Sequence, residues 1–345
     1  MRRLTFFTLT IFALTLSCGN GHSFEQTFYT TFVNIDLDIK ELIKPATKVE
    51  LTHAVKYKDE FYCFFEEVKK DNTRRDIKFC FVFSDTGKNV RKIEVPSDIQ
   101  NTVYYDLFVK NDNVFAKTYM DSKTFYFDNK KSKWVKTKNA DDLIFEDEKF
   151  YVYSLDFGEW GGKTWFKDKQ TGIEYATEET TPLVNKIDTT YYLTQSFKVL
   201  KIENPLNLNK CDNDFTYEKI EKDAKYASWY GKPVGFEIVY KDTTARDYFD
   251  FSYRPHIVSS FVWQKELLHI YETDTATYIA KANNNSIKPI QKIIGEKIRF
   301  YNWHYSYRSK IQKDGQQLLK FKIDNEFGLM EINGQDIIIY DLILK

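Results

Sequence analysis

The chain is expected to be all-β, a ring of short-stranded blades of the β-propeller kind. Three observations carry that expectation. Phe 29, Tyr 24 and Trp 6 make 17% of the 345 residues, against only 13 Gly and 7 Pro. Aromatic and β-branched side chains suit pleated, half-buried strands, and so little Gly and Pro argues against a disordered stalk. Short apolar runs alternate with Asp, Asn or Gly turns, and long helical periods are absent. The turn residue also recurs at a regular interval. Asp85 to Asp128 is 43 residues, Asp128 to Asp168 is 40, Asp168 to Asn204 is 36, and Asn204 to Asp324 is 120, or three further steps of 40. A period near 40 holding four short strands is one propeller blade. Seven blades are favoured, with six or eight as alternatives; the rival architecture is two β-domains split near residues 205–225.

The first element is an export signal. Arg2 and Arg3 precede an apolar run from Leu4 to Leu16, followed by Ser17-Cys18-Gly19. The run is too short for a membrane-spanning helix and fits the hydrophobic region of a signal peptide. A cysteine placed directly after such a run resembles bacterial lipoproteins, although Thr15 stands where that family has leucine. The resemblance implies cleavage before Cys18 and its acylation, and so an envelope protein held by lipid on the periplasmic or surface side of a membrane. Residues 1–17 are therefore the signal, 18–48 the lipidated cysteine and leader, and 49–345 the propeller-like domain.

Without its signal the chain loses two arginines from a formal net charge of +0. No basic stripe or zinc-finger spacing remains, so nucleic acid is not an expected partner. Beyond the signal no run of 18 apolar residues occurs, and any membrane association comes through the N-terminus.

In the leader, Ile35-Asp36-Leu37-Asp38-Ile39 alternates like a strand and equally fits a short helix ending before Pro45. Four hairpins follow a common plan of strand, polar turn and return strand: Phe81 to Lys88, Phe125 to Lys130, Trp165 to Gly172 and Leu319 to Asn325. Further apolar runs lie at Glu60–Phe65, Val114–Tyr119, Phe150–Tyr153, Tyr191–Leu193, Gly235–Tyr240, Leu267–Tyr271 and Ile298–Tyr301. The stretch Asn213–Ser260 is irregular. The strongly strand-forming Ile337–Ile343 is placed to complete a blade and join the ends of the ring. Residues Asn325 to Ile338, with Phe327-Gly328 and the turn Asn333-Gly334, resemble the bacterial WG repeat, with Phe327 in place of its tryptophan. That resemblance implies β-structure and brings no site.

With Cys18 acylated, Cys63, Cys80 and Cys211 remain. A two-residue turn at Asp71-Asn72 would set Cys63 opposite Cys80 on an antiparallel ladder, at a separation that a disulfide accepts. The alternative is that both are reduced and packed among phenylalanines. Cys211 has no evident partner.

Nucleophile-elbow, zinc-protease, phosphate-loop and Cys-x-x-Cys motifs are all absent. No cofactor or metal is expected, and His22, His53, His256, His269 and His304 are scattered singly. The most suggestive cluster is Asp156 to Trp165, with two tryptophans, three glycines and two acids. Glycine lets backbone approach a ligand, and an exposed indole offers a flat apolar face with one donor. Trp229-Tyr230-Gly231 and Trp303-His304-Tyr305 are similar. Trp160, Trp165, Trp229 and Trp303 are thus candidate ligand-binding residues if they share a face, and packing residues if they do not. The expected function is a non-catalytic, lipid-anchored binding protein presenting one propeller face to a protein or glycan. The alternatives are a glycan-active enzyme using Asp156 or Glu159, and a scaffold subunit of an envelope complex.

Overall fold

The computed structural model describes residues 27–39, 43, 48–68, 74–102, 104–118, 123–138, 143–156, 162–222, 232–243, 255–296, 298–300, 316–323 and 326–345. They form a six-bladed β-propeller. Strand β1 (Tyr29–Leu37) comes first and is used last. Blade 1 is β2 (Lys48–Tyr57), β3 (Glu60–Val68), β4 (Arg74–Ser84) and β5 (Arg91–Ile93). Blade 2 is β6 (Tyr105–Lys110), β7 (Asn113–Thr118), β8 (Thr124–Asp128) and β9 (Lys133–Thr137). Blade 3 is β10 (Leu143–Glu146), β11 (Phe150–Asp156), β12 (Gly162–Asp168) and β13 (Glu174–Thr177). Blade 4 begins with β14 (Leu183–Ile187), β15 (Thr190–Gln195) and β16 (Lys198–Ile202). The chain then leaves it, adds β17 (Asn209–Lys210) to the edge of blade 3, and returns as the fourth strand, β18 (Glu237–Lys241). Blade 5 is β19 (His256–Trp263), β20 (Glu266–Glu272), β21 (Thr277–Asn283) and β22 (Ser286–Ile294). Blade 6 is β23 (Arg299–Phe300), β24 (Gln317–Ile323), β25 (Glu326–Asn333) and β26 (Asp336–Leu344).

The ring has six blades where seven were favoured, and the excursion from blade 4 explains the difference. Asp85, Asp128, Asp168 and Asn204 each open the connection after the third strand of blades 1 to 4. In blade 4 that connection runs from 203 to 236 and takes up almost a whole period. The corresponding turn of blade 5 is at Asn284-Asn285, and Asp324, counted as the last step, lies outside the described residues. The irregularity near residues 205–225 is this insertion within one ring and marks no domain boundary.

The ends of the chain meet as expected, but β1 pairs with β26 in parallel, from Tyr29 opposite Asp336 to Leu37 opposite Leu344. Ile35, Leu37 and Ile39 are fully buried between blades 6 and 1. Phe28 inserts between blades 5 and 6. Similar apolar layers lie between blades 1 and 2, 3 and 4, and 4 and 5. Each buried Phe or Ile contributes roughly 1.5–3 kcal/mol, so these layers are the main force holding blade to blade. The sequence's aromatic richness goes mostly here, as in the edge-to-face pair of Phe61 and Tyr340, 4.9 Å apart.

Strand alternation places the first-to-second and third-to-fourth turns of every blade on one face, the turn face. Several of these turns have two residues, and Asn111, Asp112, Gln264, Lys265, Asn284 and Asn285 all have positive φ. Two consecutive left-handed residues give the twist that a tight hairpin needs, and Asn and Asp tolerate it best. Gly328 has a different reason. A Cβ there would lie 2.0 Å from the ring of Phe321, its cross-strand partner, so only glycine lets that ring lie across the backbone.

Cys63 and Cys80 are both free and fully buried, which corrects the disulfide expectation in favour of its alternative. The ladder pairs Cys63 with Phe81 and Phe64 with Cys80. The irregularity between Glu66 and Val68 moves the register one step from that of an Asp71-Asn72 turn. A one-residue slip turns a side chain to the other face. Cys63 therefore packs toward blade 6 and Cys80 toward blade 2. Burial pushes the Cys80 thiol well above its ordinary 9.0.

Candidate functional site

A groove with a cavity of about 560 Å³ opens on the turn face between blades 3 and 4. Its framework is the turn after β10. Asp147 Oδ1 accepts the backbone N–H groups of Lys149 and Phe150, both at 2.8 Å, and so closes the turn. Asp147 Oδ2 accepts the Tyr191 hydroxyl at 2.5 Å and Lys186 Nζ at 2.7 Å, both from blade 4. Lys186 also reaches Glu148 at 2.8 Å. One carboxylate thus sets a turn and clamps two blades together.

The electrostatics follow from this geometry. Burial alone would raise the Asp147 carboxyl, but the bonds from Lys186, Tyr191 and the two backbone N–H groups hold it below its ordinary 3.8. Burial and the Asp147 charge push the Tyr191 hydroxyl up. Burial opposes the charge on Lys186, yet its bonds to Asp147 and Glu148 prevail and raise it.

A second wall is the turn after β12. Asp168 Oδ1 accepts the backbone N–H of Thr171 at 2.6 Å and its hydroxyl at 2.8 Å, which hold its carboxyl down. Lys169 pairs with Glu146 at 2.6 Å and lies over the Tyr151 ring. The third wall opens the blade 4 insertion. Asn204 Oδ1 accepts the N–H of Leu206 at 3.1 Å, starting the short turn Pro205–Asn207 and leaving Leu206 45% exposed. The floor carries balanced, fully engaged charge. The rim presents Lys149, Gln170, Thr189 and Leu206 to solvent. Such a surface can bind a polar chain with some apolar character. The Asp147 and Asp168 carboxyls are hydrogen-bonded and held down, whereas a general acid is favoured by a raised carboxyl.

Of the residues singled out in the sequence, Cys18, Glu159, Trp160, Trp229 and Trp303 lie outside the described residues. Asp156 ends β11, paired with Gly162. Trp165 is fully buried, with its Nε1–H donated to the Phe215 carbonyl at 2.9 Å and its ring edge-on to Tyr217. Its place as a ligand-binding residue is thereby corrected to packing. The insertion's short helix Tyr217–Lys222 covers it on the face of blade 3 away from blade 4. Among the described residues no three His, Cys, Asp or Glu side chains gather as a metal would need.

Asp147, Lys186 and Tyr191 were not singled out from the sequence. A signal for them existed: Asp147 and Lys186 are 39 residues apart, close to one blade period, and bear opposite charges. Overlaying successive periods would have set them side by side.

No protein-family model matches the chain, and no curated protein matches it. Among solved structures, the chain is similar to YCF48 bound to D1 peptide, at 10% identity over 87% of this chain and 82% of that one, with TM-score 0.33. It is similar to a puromycin-hydrolyzing peptidase of Mycobacterium tuberculosis at 8% identity, covering 84% of this chain and 46% of that one, with TM-score 0.33. It is also similar to the extracellular domain of BT4673 from B. thetaiotaomicron at 7% identity, covering 90% and 46%, with TM-score 0.34. The chain spans under half the length of the latter two. Likenesses this distant say nothing of what it binds.

Proposed function

We propose that the chain is an exported, lipid-anchored propeller that binds a protein segment or a glycan in the turn-face groove between blades 3 and 4, without catalysis. The observation that carries the reading is the construction of the groove. Its interior charges are spent on one another and on the backbone, so the walls are rigid before a ligand arrives. Its rim offers free donors from Lys149, Gln170 and Thr189 beside an exposed leucine. Preformed walls lower the ordering cost of binding, and a few placed polar groups give orientation. Anchoring is supported by the signal ending at Cys18.

Two experiments test the two halves. Cys18→Ala should release the protein into the soluble fraction, and continued membrane retention overturns the anchor. The purified protein should bind members of one class on glycan and peptide arrays, and binding to neither overturns the binding module.

A further inference from the structure

We propose that the outer wall at the seam of blades 5 and 6 is the surface this protein lays on a phospholipid bilayer. The inference rests on the reading that Cys18 is the lipid anchor and adds the orientation of the body. Its starting point is where the chain leaves the propeller. The backbone N–H and C=O of Phe28 are bracketed by the side-chain amide of Gln291 on β22, at 2.9 and 2.8 Å. The Phe28 ring sits edge-on to Phe261 at 5.9 Å within the blade 5–6 core. The exit point is thus fixed to the body. Ten residues separate Cys18 from Phe28, at most about 35 Å when fully extended and roughly 16–19 Å as a flexible coil. The anchor therefore brings this wall to the membrane with the shortest tether.

The surface around the exit suits that position. Phe32, paired with Ile339 on the face of the sheet turned to blade 5, is 59% exposed, the most of any large apolar side chain among the described residues. Ile290, 41% exposed, lies on the outer strand of blade 5 next to Gln291. Exposed Lys288 and Lys292 flank it. Aromatic side chains settle at the headgroup level, and lysines beside them attract anionic lipid. The acids on β1 and β26 do not oppose this. Asp36 is paired with Lys345 at 2.6 Å toward the far end of the strand, Asp336 stands at the near end, and the half-buried Asp341 carboxyl is pushed up, toward its neutral form, by burial and by the nearby Glu326 and Glu296 charges. The groove is two seams around the ring, so a body seated this way leaves it open to the aqueous side.

The test uses the acylated full chain in vesicles of phosphatidylcholine and phosphatidylglycerol. Phe32→Cys, Ile290→Cys and, as control, Val234→Cys are labelled with an environment-sensitive fluorophore. Val234 is 42% exposed in the blade 4 insertion, and Cys63, Cys80 and Cys211 are buried. Emission at positions 32 and 290 should shift to the blue and be quenched by brominated lipid, with no change at 234. Flotation with the vesicles but equal, unquenched emission at all three positions overturns the orientation and leaves the anchor standing. Failure to float overturns both.

Discussion

His269 on β20 gives the most quantitative prediction. It is 1% exposed in the interior of blade 5, with Nδ1 2.6 Å from the Ser260 hydroxyl, and its Nε2 is buried without a partner among the described residues. Burial pushes its pKa down from 6.5 to about 3. The folded protein therefore keeps this ring neutral, while the unfolded chain takes up a proton below pH 6.5. Stability is fully present above pH 6.5 and falls as the pH drops toward 3. Between pH 7.5 and 5.0 the loss from this residue is about 2 kcal/mol, from 1.36 kcal/mol per pH unit over about 1.5 units. His269→Gln keeps a hydrogen-bonding partner for Ser260 and removes the titration. Urea unfolding at both pH values should show the wild type losing about 2 kcal/mol more than the variant, since the two proteins differ at this one position. Equal losses in the two proteins would refute the buried, neutral histidine and the packing that enforces it.

Asp147→Ala should lower stability by roughly 2–4 kcal/mol, because it strands two backbone N–H groups, the Tyr191 hydroxyl and Lys186. A double-mutant cycle with Lys186→Met should give a coupling of at least about 0.5 kcal/mol, and additive effects would break the clamp between blades. Gly328→Ala should cost roughly 1–3 kcal/mol by driving a methyl group into the Phe321 ring, read as a lower thermal midpoint. Mass spectrometry without reduction should find Cys63 and Cys80 unlinked, both alkylated only after unfolding; a linked peptide would contradict the observed register.

Much of the fold was legible because turn chemistry is local. Asp85, Asp128, Asp168 and Asn204 each open the third-to-fourth-strand connection of a blade, and the β-forming run near Ile337 does close the ring. What was not legible depends on distant or cumulative geometry. The residues between Asn204 and Glu237 carry turn and strand signals of their own, so an insertion passed for a blade. One irregularity beside Glu66 was enough to separate Cys63 from Cys80. Trp165 alternates with Phe166 along β12, and a period of two cannot say that a later insertion will cover one of its faces. The Asp147–Lys186–Tyr191 clamp joins blades at turns, where side-chain spacing follows the blade period rather than any local motif.

The central claim is that the blade 3–4 groove is where the partner binds. Its most direct measurement is the affinity of the array-identified glycan or peptide for Lys149→Glu/Leu206→Asp, with Lys88→Glu, on the third-to-fourth turn of blade 1, as control. The account predicts an affinity loss of at least about tenfold in the groove variant, about 1.4 kcal/mol, with the control unchanged. Undiminished binding by the groove variant, with its fold intact, would place the partner elsewhere and contradict it.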